Sequence, residues 1–153
     1  MKQVISAFAL LALIAAGGCG MQMVELGMIK GKNMANVSLY DRLGGKPAIT
    51  AVIDEFTARV AADNRINHYF AKTDINKFKA HLVDQICEVS GGPCKYTGRT
   101  MPETHKGMKI SDEEFGWTGA HLAGALDKFS VPDREKNELL QVIGSLQNQI
   151  VGL

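Results

Sequence analysis

Gly91-Gly92-Pro93-Cys94-Lys95-Tyr96-Thr97-Gly98-Arg99-Thr100-Met101-Pro102-Glu103-Thr104-His105-Lys106-Gly107 is the stretch that decides how this chain is read. It carries two clusters of chain breakers, a single short helical piece near Pro102–Lys106, and one histidine. Regular helical patterns lie on both sides of it. Helix packing alone gives a bundle. Helices that bracket an irregular segment as two pairs fit a bundle badly, because they leave space between the pairs.

Working outward, each flank reads as helix. Ser38 can cap a short helix through Leu43, which Gly44-Gly45 ends. Pro47 suits the first turn of the next, where Ile49, Val52, Ile53, Phe56 and Val60 form one apolar stripe. Ala62–Lys72 is turn-like and holds Tyr69 and Phe70. Asp74 can cap a third helix with apolar positions Ile75, Phe78, Leu82, Ile86 and Val89. Beyond the deciding stretch, Ser111 or Asp112 opens a longer helix bearing Phe115, Thr118, Leu122, Ala125, Leu126 and Phe129. A last helix begins near Pro132-Asp133 and is expected to bury Leu139, Val142, Ile143, Leu146 and Ile150. No alternating β-branched run competes, so the fold class is all-α.

The composition sets outer bounds. In 153 residues, 17 Lys and Arg stand against 16 Asp and Glu, a formal charge of +1 with no basic run. Nucleic acid is therefore not an expected partner, since phosphate binding needs a basic surface. At 46% hydrophobic and 22% charged the chain is ordinary for one globular domain, and a monomer is expected.

Residues 1–18 read as an export signal: Lys2, an apolar run from Val4 to Ala16, then small residues before Cys19. Ala16-Gly17-Gly18-Cys19 resembles a lipobox, which implies acylation of Cys19 and a membrane anchor; Ala16 departs from the large aliphatic residue usual there. Plain secretion and a retained anchor are the alternatives. Removal of Lys2 leaves 16 basic against 16 acidic residues. Residues 19–37 read as a flexible tether. The expected location is the bacterial cell envelope, facing the periplasm, and Gly20-Met21 favours the outer membrane. In an oxidising compartment Cys87 and Cys94, on either side of Gly91-Gly92-Pro93, are expected to pair, with two free thiols as the alternative.

The order Leu39-Tyr40, Leu43-Gly44-Gly45, Phe56-x-x-Arg59-Val60, Tyr69-Phe70, Gly91-Gly92-Pro93, Tyr96-Thr97-Gly98, Met101-x-x-x-His105-x-Gly107 and Ala120-His121-Leu122 resembles a group 1 truncated haemoglobin. The match covers about residues 37–153, so residues 38–153 are expected to be one truncated globin domain. It implies a two-over-two helical sandwich around one non-covalent haem b. The proximal iron ligand falls on His105, and a neutral imidazole suits that role. Phe70 would pack on the haem face. Phe56, Phe78, Leu82, Ile86, Met101, Ile110, Phe115 and Ile143 would line the pocket. Tyr96, Thr73 and Lys79 are candidates for the propionates.

The distal side departs from the family. Members that hold oxygen tightly carry a tyrosine where this chain has Thr57, and glutamines where it has Phe78 and Leu82. A pocket poor in donors is expected to release oxygen readily and to discriminate weakly among oxygen, nitric oxide and carbon monoxide. His81 lies about 100° around the helix from the apolar centre. In some cyanobacterial members the matching histidine is a sixth iron ligand; His81 could do this, reach a propionate, or face solvent. The same projection turns Cys87 away from the apolar centre.

Three functions remain open at this point. The first is reversible binding of diatomic gases, with no catalytic residue assigned. Nitric oxide oxidation or a peroxidase-like side reaction would need a reductase or electron partner outside the chain. The second is a bis-histidine electron carrier using His105 and His81. The third is a haem-free helical lipoprotein.

Overall fold

The computed structural model describes residues 37–153. The expected export signal, Cys19 and nearly all of the tether lie outside the described residues. Six α-helices follow one another there: α1 (Leu39–Arg42), α2 (Gly45–Ala62), α3 (Ile75–Val89), α4 (Met101–His105), α5 (Asp112–Lys128) and α6 (Asp133–Gly144). Two 3-10 turns, Asn67–Phe70 and Gln147–Gln149, complete the set.

Local chemistry sets the helix ends. Ser38 Oγ accepts from the Asp41 N–H at 3.1 Å and opens α1. Gly44 and Gly45, at φ +93° and +72°, turn the chain into α2 in a region that costs other residues. Asp74 accepts from the Lys77 N–H and opens α3. Ser111 and Glu114 form a reciprocal capping box at the start of α5.

α2 is the central helix, packed on α3 at one side and α5 at the other, while α6 lies against α5 and α1. The stripe Ile49, Val52, Ile53, Phe56 and Val60 is buried along its whole length. Ile53, Ile66, Leu126 and Leu139 are at the centre of the core.

Three expectations change. In α3 the fully buried line is Val83, Ile86 and Cys87, whereas Ile75 and Val89 are exposed. The helix has two apolar faces, and α2 covers the one about 100° from the Phe78–Leu82 line. Cys87, off the Phe78–Leu82 line, lies on that second face and is wholly buried. α6 ends at Gly144, so Ile150 reaches the interior from beyond the 3-10 turn and Val142, Ile143 and Leu146 are only partly covered. Phe129 caps α5 and is 45% exposed rather than packed inside.

Cys87 and Cys94 are joined by a disulfide, with their Cα atoms 5.7 Å apart. The intervening turn is closed by the Gly92 N–H donating to the Cys87 carbonyl at 2.7 Å. Gly91 sits at φ +83°. A Cβ on Gly92 would lie 2.7 Å from Cys87 Sγ and as close to the Tyr40 ring, so this position has room only for hydrogen.

Candidate functional site

α4 has five residues, too few to persist on propensity alone. A capping box fixes it: Thr100 Oγ1 accepts from the Glu103 N–H at 3.4 Å, and the Glu103 carboxylate accepts from the Thr100 N–H at 3.0 Å. Hydrogen bonding to Thr100 holds the Glu103 carboxyl below the usual range. Pro102 supplies a preset φ in the first turn.

At the other end of α4, His105 Nδ1 lies 2.8 Å from the Met101 carbonyl oxygen. A carbonyl only accepts, so Nδ1 carries the proton and Nε2 keeps its lone pair. The ring is half-buried. An imidazole oriented in this way is a ready metal ligand, its tautomer set by its own helix.

α3 contributes Phe78 and Leu82, both half-buried and packed on the edge of the core. Phe70 meets Phe78 edge-on, with ring centroids 5.2 Å apart. Phe56 and Ile86 are buried in the same cluster, and Ile143 packs against it from α6. Ile110 is buried but outside that cluster, its carbonyl bonded to the Gly152 N–H. Phe115 is half-buried in the first turn of α5, also outside it.

The polar candidates separate. Thr57 Oγ1 donates to the Ile53 carbonyl at 2.7 Å, so its proton is spent inside α2. His81 is half-buried and stands edge-on to Tyr96, centroids 6.0 Å apart. Tyr96 donates its hydroxyl to the Arg99 carbonyl at 2.8 Å, and burial pushes the phenol pKa up. Lys79 is bound to Asp54 of α2 at 2.8 Å, in the α2–α3 groove. Its ammonium is thus engaged by Asp54. Thr73 is exposed. Of the remaining histidines, His68 stacks on Tyr69 and His121 pairs with Asp63 at 2.7 Å.

One residue near His105 in the hydrogen-bond network was not singled out from the sequence. Gln85, half-buried, lies one full heptad after Phe78 and hence on nearly the same line of α3. Its Nε2 donates to Met101 Sδ at 3.5 Å. A lone carboxamide within an apolar arc was the signal that could have drawn attention to it. An apolar cavity of about 230 Å³ lies elsewhere, bounded by Leu43, Ala48, Phe129, Val131 and Leu139, and includes neither His105 nor Phe78.

An imidazole fixed through Nδ1 and half-covered aromatic side chains at the edge of the core are chemistry that suits an iron porphyrin. They fit a haem-binding helical protein. Comparisons with known proteins agree. The family model described as bacterial-like globin matches residues 38–151. A group 1 truncated haemoglobin of Mycolicibacterium paratuberculosis is 37% identical over 113 residues, spanning 74% of this chain and 83% of that protein. The crystal structure of truncated haemoglobin from Tetrahymena pyriformis in its Fe(III) form superposes with TM-score 0.74 at 32% identity, over 76% of this chain and all of that one. The 2/2 haemoglobin of Synechococcus, solved in the cyanomet state with covalently attached haem, gives TM-score 0.68 at 30% identity, over 74% and 95% of the two chains. This chain belongs to the bacterial-like globin family, as a truncated haemoglobin with the two-over-two helical fold. Its cofactor is haem of the b type, held without a covalent bond, as is standard for the family.

Proposed function

We propose that this globin binds diatomic gases reversibly at a haem iron held by His105, and that it does so as an exported lipoprotein anchored through Cys19. The observation that carries the first part is the His105 Nδ1–Met101 carbonyl bond, which leaves Nε2 as the free ligand atom. Bound haem supplies an iron that coordinates the gas. The chain supplies the imidazole, the apolar walls Phe56, Phe70, Phe78, Leu82, Ile86 and Ile143, and the exclusion of water. Met101 borders the same site, and Ile110 and Phe115 close its α5 end. Thr73 would meet a propionate at the rim, and Tyr96, whose hydroxyl proton goes to the Arg99 carbonyl, would border it.

The same pocket offers a bound ligand little help. Phe78 and Leu82 carry no donor, and the Thr57 proton is engaged with Ile53. A hydrogen bond to a polarised ligand stabilises it by about 1 kcal/mol or more. Without one, oxygen leaves quickly and discrimination among oxygen, nitric oxide and carbon monoxide is weak. His81 rests against Tyr96 at the flank of the cleft, which favours an open sixth position over the bis-histidine electron carrier. Oxidation of nitric oxide would draw electrons from a reductase outside this chain.

The test is haem loading of the full chain beside His105→Gly. The variant should lose tight haem uptake, and free imidazole should restore the five-coordinate spectrum. Unchanged uptake and spectrum in His105→Gly would overturn the assignment. Lipidation is read separately: exported protein should gain the mass of a diacylglyceryl modification at Cys19, and Cys19→Ser should remain free of it and leave the membrane fraction.

A further inference from the structure

Met101 makes two hydrogen bonds that face different helices. Its carbonyl oxygen accepts from His105 Nδ1 at 2.8 Å, within α4. Its sulfur accepts from Gln85 Nε2 at 3.5 Å, across from α3. One residue thus connects α3 to the His105 imidazole of α4.

The choice of glutamine is not explained by packing. Gln85 is half-buried on the apolar line of α3, where leucine or methionine would fill the space without desolvating an amide. A thioether is a weak acceptor, so the bond contributes little to stability by itself. What it does is fix a position. α4 is one turn and a half long, too short to hold its place by its own backbone bonds. A contact on the Met101 side chain from a long helix restrains it from outside.

We propose that Gln85 is a positioning residue for the His105 imidazole, acting through Met101. It holds the Met101 carbonyl in line with Nδ1–H, and the strength of that hydrogen bond sets how much electron density the imidazole gives to iron. The inference rests on the reading of His105 as the iron ligand.

The experiment uses full-length, haem-loaded protein. The iron–histidine stretching band is recorded by resonance Raman in the photoproduct of the carbon monoxide complex, which is five-coordinate whatever His81 does. Gln85→Met keeps the length and removes the donor. Met101→Leu keeps the bulk and the carbonyl and removes the sulfur. Each should move the band to lower frequency, and the double variant should move it no further than the larger single shift, because both remove one interaction. Bands unmoved in both single variants would overturn the proposal, as would a double shift equal to the sum. A change in the iron–carbonyl band confined to Gln85→Met, with the iron–histidine band unmoved, would make Gln85 a direct ligand contact and also overturn it. His105→Gly is the control. A wild-type iron–histidine band surviving there would refute the ligand assignment itself, a result separate from any failure of the coupling.

Discussion

Thr57 donates its hydroxyl proton to the carbonyl of Ile53, four residues earlier in α2, at 2.7 Å. Threonine in a helix commonly spends its hydroxyl in this way, and a hydroxyl has one proton to give. Loss of the hydroxyl should therefore change ligand release little. In stopped-flow measurements, Thr57→Val is expected to leave the oxygen dissociation rate within about twofold of wild type, well under the value of one hydrogen bond. Thr57→Tyr restores a donor of sufficient reach and should slow release about tenfold, the equivalent of about 1.4 kcal/mol. Slow release in the wild type, accelerated by Thr57→Val, would show that the hydroxyl turns toward the ligand.

His81 supports a second prediction. Its ring is edge-on to Tyr96, with 6.0 Å between centroids, and stands off the Phe78–Leu82 line. The reduced, ligand-free protein should show one broad visible band, unchanged in His81→Ala, and the two should bind carbon monoxide at similar rates. Sharp, split bands that broaden in the variant would put His81 on the iron and turn the reading to electron transfer.

Much of this fold was legible because its signals are local. Ser38, Asp74 and Ser111 all cap the helices they precede, and the α2 stripe is buried as spaced. α3 was harder. A helical projection finds one apolar centre, and here Phe78 and Leu82 drew attention away from Val83 and Cys87, which α2 covers. The end of α6 at Gly144 was marked by its own glycine, and the apolar Leu146 and Ile150 concealed it. Tertiary pairings left no local trace. Arg42, whose side chain is only 8% exposed, pairs with Glu135 of α6 at 2.9 Å, and nothing near Arg42 in the sequence announces that partner. The site divides in the same way. His105 sits in a recognisable motif, whereas the Gln85–Met101 contact depends on how α3 and α4 meet.

The Cys87–Cys94 ring carries a third prediction. It closes eight residues between a buried half-cystine in α3 and a half-buried one in the following loop. Chain entropy for such a ring is worth about 2.5 kcal/mol. Reduction, or Cys94→Ser, should lower the melting midpoint by about 10 °C for a domain of this size. Equal midpoints with and without reductant would mean the reduced turn keeps its conformation unaided. Gly92→Ala tests the turn from the other side, since the added methyl meets the Tyr40 ring and Cys87 Sγ. A cost of about 1–3 kcal/mol is expected, typical of overpacking.

Asp63 gives the last prediction, through acid. Its carboxylate accepts from Arg65 Nε at 2.8 Å, from the Arg65 backbone N–H at 3.1 Å and from His121 Nε2 at 2.7 Å. The Arg65 guanidinium lies 4.2 Å from the centre of the Trp117 ring, which keeps it over the carboxylate. Arg65 foremost, and His121 after it, hold the Asp63 carboxyl far below the usual aspartate value. A group whose pKa falls on folding adds stability at all pH above its unfolded value, about 3.9, and that stability is lost as pH drops toward the folded value. The melting midpoint should therefore fall steeply below about pH 4. Asp63→Asn should lower the midpoint at neutral pH by several degrees and make the acid limb shallower. Some slope will remain, because Glu55, Glu88, Glu103 and Glu114 are held low by their own partners. Curves of wild type and Asp63→Asn that run parallel from neutral pH into the acid range would show that the Asp63 network does not set the acid limit.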